Sequence, residues 1–289
     1  MISKEPSIIP NEIYIKLYKK NNKLNIENIM LDKKIADRVK REQVQHDEDM
    51  VLENSYKLKS KFFHVAESPT MKRAQEEEES VFKNVENLRV LDVGCGFGEK
   101  SVLVAKNKGH VVGIDIANNY IEASKELASK NDVGQKCDFY VMDVHDMDFE
   151  DNYFDLVVGR GIIHHLDLEV SLTEIKRVLK VGGEAVFFEP LNANPLLKIF
   201  RKFTPSARTI DEKPLSIKDL KWIRRNFEIH SLYFGIISAP IAMLTSLVLR
   251  PWPNNFILQI ADYLEKIINN LSFIQPFNQY VLLKIKKSS

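Results

Sequence analysis

The chain has 289 residues, of which 44% are hydrophobic and 28% charged. This size and composition predict one large globular domain with insertions, or a domain with a smaller cap, and exclude a disordered or fibrous protein. Two cysteines, Cys95 and Cys137, are too few for a disulfide framework, so we expect a cytoplasmic protein. Residues 1–21 are polar and charged and do not predict a signal peptide.

The formal net charge of +1 conceals an uneven distribution along the chain. Residues 1–190 carry 27 basic and 34 acidic side chains, whereas residues 191–289 carry 14 basic and 6 acidic ones. The basic third is also the most apolar third. It has two interpretations, which are a surface for an anionic amphiphile (a membrane or a lipid-like substrate) and an ordinary solvated face over a core.

Residues 1–60 predict an N-terminal helical arm, because apolar residues such as Leu31, Ile35 and Val39 recur at helical spacing among charged ones. Such an arm caps the active site, packs on a second subunit, or packs on its own domain. The sequence leaves these three uses open.

From Leu88 onward, short apolar runs alternate with helical stretches. The predicted strands are Arg89–Val93, His110–Ile116, Phe139–Met142, Phe154–Gly159 and Glu184–Phe188. The predicted helices between them are Glu99–Asn107, Asn119–Ser129 and Val170–Leu179. Strand and helix in alternation predict βαβ units and an α/β fold with a parallel, doubly wound sheet, which we place in residues 61–190.

The most informative segment is residues 90–98, Val-Leu-Asp-Val-Gly-Cys-Gly-Phe-Gly, where a strand ends and three alternate glycines precede a helix. Glycines at such a turn let a ligand approach the main chain closely. In a dinucleotide fingerprint counted from Gly94, the last glycine would fall at Glu99. A carboxylate there would repel a pyrophosphate, which argues against a nicotinamide or flavin cofactor.

Acidic residues mark three successive strand ends of this region. Asp92 opens the glycine loop, Asp115 ends the second strand, and Asp143 ends the third. A single aspartate at a strand end is often only a turn or cap residue. Three aspartates at three successive strand ends argue against this interpretation for all of them together, and Asp115 is placed to accept hydrogen bonds from ribose hydroxyls.

Residues 88–190 resemble the class I S-adenosylmethionine-dependent methyltransferases, and the resemblance implies a Rossmann-like sheet and S-adenosyl-L-methionine as cofactor. It implies that Asp92 helps to hold the methionine part, that Asp115 accepts hydrogen bonds from the ribose, and that Asp143 and Val144 read the adenine. Main-chain groups near Gly159 and Arg160 would contact the methionine part. The full set of expected cofactor-binding residues is Asp92, Gly94, Cys95, Gly96, Gly98, Asp115, Ile116, Asp143, Val144, Gly159 and Arg160.

Three candidates for acid or base chemistry, His164, His165 and Glu189, follow the fourth and fifth strands on the ligand side of the sheet. A carboxylate acceptor needs no base, whereas a hydroxyl or amine acceptor is helped by one. The alternative for the two histidines is that they only shape the cofactor pocket. The spacing of the remaining histidines predicts no metal site.

The last hundred residues are unusual for this fold. Phe227–Phe234 and Gln279–Lys286 predict an antiparallel hairpin that completes a seven-stranded sheet with one antiparallel strand. Two segments, Leu191–Arg225 and Gly235–Asn278, are then inserted. The first is interpreted as a lid over the acceptor, or as a surface excursion with scattered charge. If it is a lid, the cations that could bind an anionic group of the acceptor are Arg201, Lys202, Arg208 and Lys213.

The second insertion is strongly apolar, especially over Phe234–Leu249 and the following Pro251-Trp-Pro253. It is too polar and too interrupted by proline to predict a spanning helix. Four uses remain open: a peripheral contact with the inner membrane face, the wall of an apolar substrate tunnel, a subunit interface, or an ordinary buried helix.

These features predict an S-adenosylmethionine-dependent methyltransferase acting on a small, apolar and anionic acceptor, such as an isoprenoid, a polyketide, a quinone or another natural product. Two alternatives are methylation of a peptide carboxylate in natural-product maturation, and a non-catalytic cofactor-binding assembly protein. A homodimer would form through the arm or the apolar insertion. Nucleic acid is not an expected partner, because no base-flipping motif follows the fourth strand. The predicted domains are 1–60, 61–190 and 191–289.

Overall fold

The computed structural model describes residues 26–47, 60–202 and 213–288, and within the first range the side chains of residues 33–44. The chain divides into two compact units, residues 1–41 and 42–289. Helix α1 (Ile26–Asp47) begins in the first unit, and its Ile35 and Val39 are half-buried. The predicted arm is therefore helical over this stretch, while residues 1–25 and 48–59 lie outside the described part.

Seven strands form one mixed sheet in the second unit. They are β1 (Arg89–Val93), β2 (His110–Asp115), β3 (Cys137–Val141), β4 (Phe154–Arg160), β5 (Leu179–Pro190), β6 (Glu228–Phe234) and β7 (Tyr280–Lys286). Their spatial order is β3-β2-β1-β4-β5-β7-β6. Strand β7 is antiparallel to both of its neighbours and the other pairings are parallel. The predicted fold, a Rossmann-like sheet with one antiparallel strand, is confirmed.

Nine further helices are described around this sheet. They are α2 (His64–Glu67), α3 (Pro69–Ser80), α4 (Glu99–Lys106), α5 (Asn118–Lys130), α6 (Leu168–Val178), α7 (Pro195–Lys202), α8 (Ile217–Asn226), α9 (Ser238–Val248) and α10 (Phe256–Ile268). Helix α4 connects β1 to β2, and helix α5 connects β2 to β3. Strands β2 and β3 lie on one side of β1 in the sheet, and β4 lies on its other side. The strand order therefore reverses between β1 and β4, where open α/β sheets bind ligands.

The core lies on both faces of the sheet. Leu91 and Phe187 belong to one buried cluster, and Val90 and Phe188 belong to the other. Successive side chains of a strand point to opposite faces, so a strand covered on both sides must be apolar at nearly every position. This requirement explains the continuous apolar runs by which the strands were predicted.

The antiparallel hairpin is interrupted as the sequence predicted. Strands β6 and β7 pair from Glu228 with Lys286 to Phe234 with Tyr280, and the chain between them forms α9 and α10. Among the described residues, no helix is long and apolar enough to cross a membrane.

Candidate cofactor and acceptor site

The glycine loop lies between β1 and α4, with Gly94, Gly96 and Gly98 at φ values of 64°, 52° and 79°. A Cβ atom at Gly94 would lie 2.7 Å from Cδ1 of Ile162, so glycine is required for packing there. A Cβ atom at Gly96 would meet nothing within 4 Å. The main chain at Gly96 therefore borders open space, in a backbone conformation that favours glycine.

Asp115 holds the glycine loop in place from the end of β2. Its Oδ2 accepts a hydrogen bond from the Gly96 N–H at 3.0 Å, and its Oδ1 accepts one from the Ala117 N–H at 3.0 Å. The Ser124 hydroxyl donates to the Gly96 carbonyl at 2.7 Å from the other side. Asp115 thus ties the glycine loop to the end of β2 and to the start of α5. The next residue, Ile116, is half-buried.

Asp92 is buried beneath the loop, and its Oδ2 accepts a hydrogen bond from the Ser101 hydroxyl at 2.6 Å. Burial raises the pKa of Asp92 above its usual value, while nearby Lys100 and the Ser101 hydroxyl oppose the rise. A carboxylate in this position is poorly solvated, so a cation brought next to it would stabilise its charged form.

Asp143 follows β3 and is tied to helix α6 through His145. Its Oδ1 accepts hydrogen bonds from the His145 main-chain N–H at 2.9 Å and from the His145 Nδ1 at 2.6 Å. The His145 Nε2 accepts a hydrogen bond from the Asp167 N–H at 3.0 Å, so the proton of the neutral ring lies on Nδ1. Among the described residues, Oδ2 of Asp143 accepts no hydrogen bond. Val144 beside it is buried.

At the end of β4, Gly159 packs closely on Ile162, whose Cγ2 would lie 2.7 Å from an added Cβ. The Arg160 side chain turns to helix α3, where its Nη1 donates to Oε2 of Glu78 at 2.6 Å, and its guanidinium stacks on Phe188. Glu78 also pairs with Lys100. The side chain of Arg160 thus joins β4 to α3, and only its main chain remains for the contact that the resemblance implied.

Glu189, at the end of β5, is fully buried and engages both of its carboxylate oxygens. Its Oε1 accepts hydrogen bonds from the Ile162 and Ile163 N–H groups at 2.9 and 3.1 Å. Its Oε2 lies 2.6 Å from Nδ1 of His164, which places the ring proton on Nδ1. Glu189 therefore fixes both the turn after β4 and the orientation of the His164 ring.

His165 lies beside His164, with the two ring centroids 4.2 Å apart. Its Nδ1 is 3.3 Å from Oε1 of Glu42, a buried residue of α1. Two histidines and two carboxylates thus form one connected cluster after β4.

The first insertion reaches this cluster through residues that precede α8. The Lys213 N–H donates to the His164 carbonyl at 3.1 Å, and the Leu215 N–H donates to the Pro190 carbonyl at 2.9 Å. Of the cations predicted for the lid, Arg201 is half-buried and Lys202 exposed on α7, Lys213 is exposed, and Arg208 lies outside the described residues.

The two cysteines are unpaired. Burial and the nearby charge of Asp92 raise the pKa of Cys95, and burial with the charge of Asp138 raises the pKa of Cys137 to about 11. Both are thiols at neutral pH, so Cys95 borders the glycine loop as a small apolar residue rather than a nucleophile. No group of three or more metal-ligating side chains occurs in the described ranges.

Sequence reasoning missed the partners that hold these residues, namely Glu42, Glu78, Ser124 and His145. His145 offered a signal, since it stands two residues after a strand-end aspartate and can reach back to it. The other three are far along the chain from their partners and carried no such signal.

Residues 91–187 match the family model described as a methyltransferase domain. This stretch of the chain is therefore similar to methyltransferase domains. The matched range runs from β1 into β5 and includes every strand-end acid except Glu189. The fold agrees, since a geranyl diphosphate C-methyltransferase from Streptomyces coelicolor, solved with S-adenosyl-L-homocysteine, superposes with a TM-score of 0.53 at 17% identity. That superposition covers 75% of this chain and 79% of the other.

Relatives of the methyltransferase domain share it over part of their length. A demethylmenaquinone methyltransferase of Staphylococcus aureus is 35% identical over 119 residues, which are 40% of this chain and 47% of the relative. A sterol 4-C-methyltransferase of Caenorhabditis elegans is 30% identical over 110 residues, which are 38% of this chain and 33% of the relative. The chain thus spans less than half the length of either relative.

Proposed function

We propose that this chain transfers a methyl group from S-adenosyl-L-methionine to a small-molecule acceptor that has an apolar body and an anionic group. The observation that carries the proposal is the pairing of Asp115 with Gly96. It fixes a glycine loop whose main chain borders open space, next to the carboxylate that ends β2.

The chemistry of the residues fits this cofactor. S-adenosylmethionine supplies a methyl group activated by a positive sulfur, and it also carries an ammonium group, so carboxylates nearby are favourable. Asp92 would face the ammonium group, Asp115 the ribose hydroxyls, and Asp143 with the Val144 main chain the adenine. The pyrophosphate of a dinucleotide would be repelled by the same three acids.

The acceptor class rests on the relatives and on the C-terminal third of the chain. The relatives are named for a quinone precursor, a sterol and an isoprenoid diphosphate, all largely apolar molecules. The exposed Lys202 and Lys213 belong to the first insertion, whose Lys213 contacts the His164 turn. Cations of this segment would hold the anionic end of such a molecule.

For a hydroxyl or amine acceptor, we assign the base to His164. Glu189 holds the proton of the ring on Nδ1, which leaves Nε2 as the basic nitrogen of the imidazole. Glu189 itself is a positioning residue, because it is fully buried and both oxygens are engaged. The protein's remaining contribution is to align the acceptor with the methyl group and to exclude water.

The cofactor half of this proposal is tested by titrating S-adenosylmethionine into the purified chain. Asp115→Asn replaces an acceptor with an amide N–H at the loop and at the ribose, so we expect affinity to fall roughly ten- to a hundredfold. The matched control is Asp138→Asn, an exposed aspartate at the opposite end of β3, which should bind as the wild type does. Equal affinity of the Asp115 and Asp138 variants would reject the proposed ribose contact.

A further inference from the structure

Helix α10 exposes its apolar side to solvent and buries its polar side. Its apolar side chains recur at helical spacing, but they face solvent; the exposed members are Phe256, Ile257, Ile260, Tyr263, Leu264 and Ile267. The face packed on the domain instead holds two carboxylates, Asp262 and Glu265, with Leu258 and Ala261. An ordinary surface helix has the reverse arrangement.

The two carboxylates show that this orientation is specified. Glu265 is fully buried and accepts hydrogen bonds from the Gly235 N–H at 2.6 Å, the Ser238 N–H at 3.1 Å and the Ser238 hydroxyl at 2.7 Å. Asp262 accepts from the Thr70 hydroxyl at 2.9 Å and pairs with Arg73. Rotating the helix to bury its apolar side would leave these donors without their acceptors.

Helix α9 repeats the arrangement. Its buried residues are small or polar, namely Ser238, Ala239, Ala242, Thr245 and Ser246. Its large side chains point outward, and Val248 is 80% exposed. The structure therefore rejects the ordinary buried helix considered for this segment, and it leaves exposed apolar side chains on two helices that contact each other.

The charged residues of this part of the chain indicate which kind of partner fits the exposed apolar surface. Asp262 and Glu265 are the only acidic residues in 235–288, and both are turned inward. The cations Arg250 and Lys266 are exposed. Lys266 pairs with Asp262 at 2.8 Å, and Asp262 is shared with Arg73, so the cations still outnumber the carboxylates here. The surface of α9 and α10 thus combines large apolar side chains with a net positive charge, and its exposed Trp252 and Tyr263 are of the type enriched at membrane interfaces.

We propose that the outward faces of α9 and α10, with Trp252 between them, dock on an anionic lipid bilayer and insert at its headgroup level without crossing it. A second copy of this chain fits less well, because a two-fold contact would bring the same cations of both copies together. The bilayer supplies both the apolar medium and the negative charge. This proposal is independent of the proposed function.

The test is flotation of the full-length chain with vesicles of phosphatidylcholine mixed with phosphatidylglycerol, compared with phosphatidylcholine alone. We expect stronger binding to the anionic vesicles, and weaker binding as salt is raised. The double variant Val248→Asp/Phe256→Asp changes two side chains that are 80% and 73% exposed, so it should fold as the wild type does. Its partition coefficient should fall at least about tenfold.

The matched control is Val181→Asp/Tyr140→Asp, which changes two exposed apolar residues on β5 and β3, away from both helices. It should leave vesicle binding unchanged. Sedimentation velocity of the same three proteins provides the second readout. Absence of anionic-vesicle binding in the wild type, or a wild-type dimer that only the Val248→Asp/Phe256→Asp variant dissociates, would overturn the proposal.

Discussion

At the scale of single residues, Asp92 gives the most direct link between burial and binding. Because burial raises its pKa above 3.8, protonation begins at a higher pH than for an ordinary aspartate. Only the ionised form attracts the ammonium group of the cofactor. Wild-type affinity for S-adenosylmethionine should therefore fall as pH drops through the Asp92 pKa.

The neutral variant Asp92→Asn isolates this effect. It keeps an oxygen for the Ser101 hydroxyl but has no charge to lose, so its affinity should be about ten- to a hundredfold weaker at neutral pH and nearly flat with pH. Calorimetric titrations across the range in which both proteins stay folded provide the measurement. A wild-type profile as flat as that of the variant would exclude Asp92 as the ammonium partner.

Glu189 and His164 make a separate prediction at this scale. A glutamine at position 189 whose oxygen keeps the two backbone N–H groups would point its amide at Nδ1 of His164 and move the ring proton to Nε2. For a hydroxyl or amine acceptor, Glu189→Gln should lower kcat about a hundredfold or more, with KM for the cofactor little changed.

The pH profile separates this role from a purely structural one. The acidic limb of kcat against pH should disappear in His164→Gln and persist in His165→Gln, the matched neighbour. Persistence of that limb in both variants would rule out His164 as the base, whatever the loss of rate.

Some residues of the candidate site could be predicted from the sequence, whereas the partners that hold them could not. Asp92, Asp115 and Asp143 could be predicted to meet at one sheet edge because each ends a parallel strand, and the order of strands in this fold is regular. The contact of Glu78 with Arg160 joins residues 82 positions apart and depends on how α3 packs on the sheet. No local pattern encodes such a packing, so the supporting partners emerged only from the structure.

At the scale of elements, Glu265 holds α10 to the start of α9. Its carboxylate lies at the N-terminus of α9, where main-chain N–H groups and the helix dipole favour negative charge. Glu265→Gln leaves one acceptor oxygen for these donors, and we expect a loss of about 3 kcal/mol in the free energy of unfolding.

Urea unfolding measures this loss, with Glu86→Gln as the control, because Glu86 is exposed and pairs only with exposed Lys108. The control should change the free energy of unfolding by less than about 0.5 kcal/mol. A similar small change for Glu265→Gln would mean that other contacts orient α10.

The strands and helices of the core were predictable to within a few residues, since a sheet covered on both faces needs continuous apolar runs. The orientation of α9 and α10 was not. Periodicity identifies the apolar side of a helix, and burial of that side is the usual outcome. Here buried carboxylates with specific donors reverse it, and Asp262 and Glu265 in the sequence read as ordinary surface charges.

For Asp262, burial alone would raise the pKa, but hydrogen bonds from Lys266 and Arg73 outweigh it and hold the pKa below its usual value. A lowered pKa means that the ionised form stabilises the fold, and that this contribution is lost only as pH falls below 3.8. The inverted packing of α10 is therefore compatible with neutral pH.

At the scale of the whole molecule, the chain combines a Rossmann-like sheet, whose residues 91–187 match a methyltransferase domain, with a basic, apolar C-terminal third. The proposed cofactor site lies at the edge of this sheet, whereas the C-terminal part supplies the exposed helices and the segment whose Lys213 contacts the His164 turn. Together they favour an acceptor that is apolar and carries negative charge.

Methyl transfer to an apolar acceptor is tested most directly with isotope-labelled S-adenosylmethionine. The labelled cofactor is incubated with the chain and host-cell extract, which is then partitioned between organic and aqueous phases. We expect label in the organic phase with the wild type, and about a tenfold or greater loss of label with Asp115→Asn at limiting cofactor. Label confined to the aqueous phase would contradict the apolar acceptor, and no label in either phase would contradict methyl transfer itself.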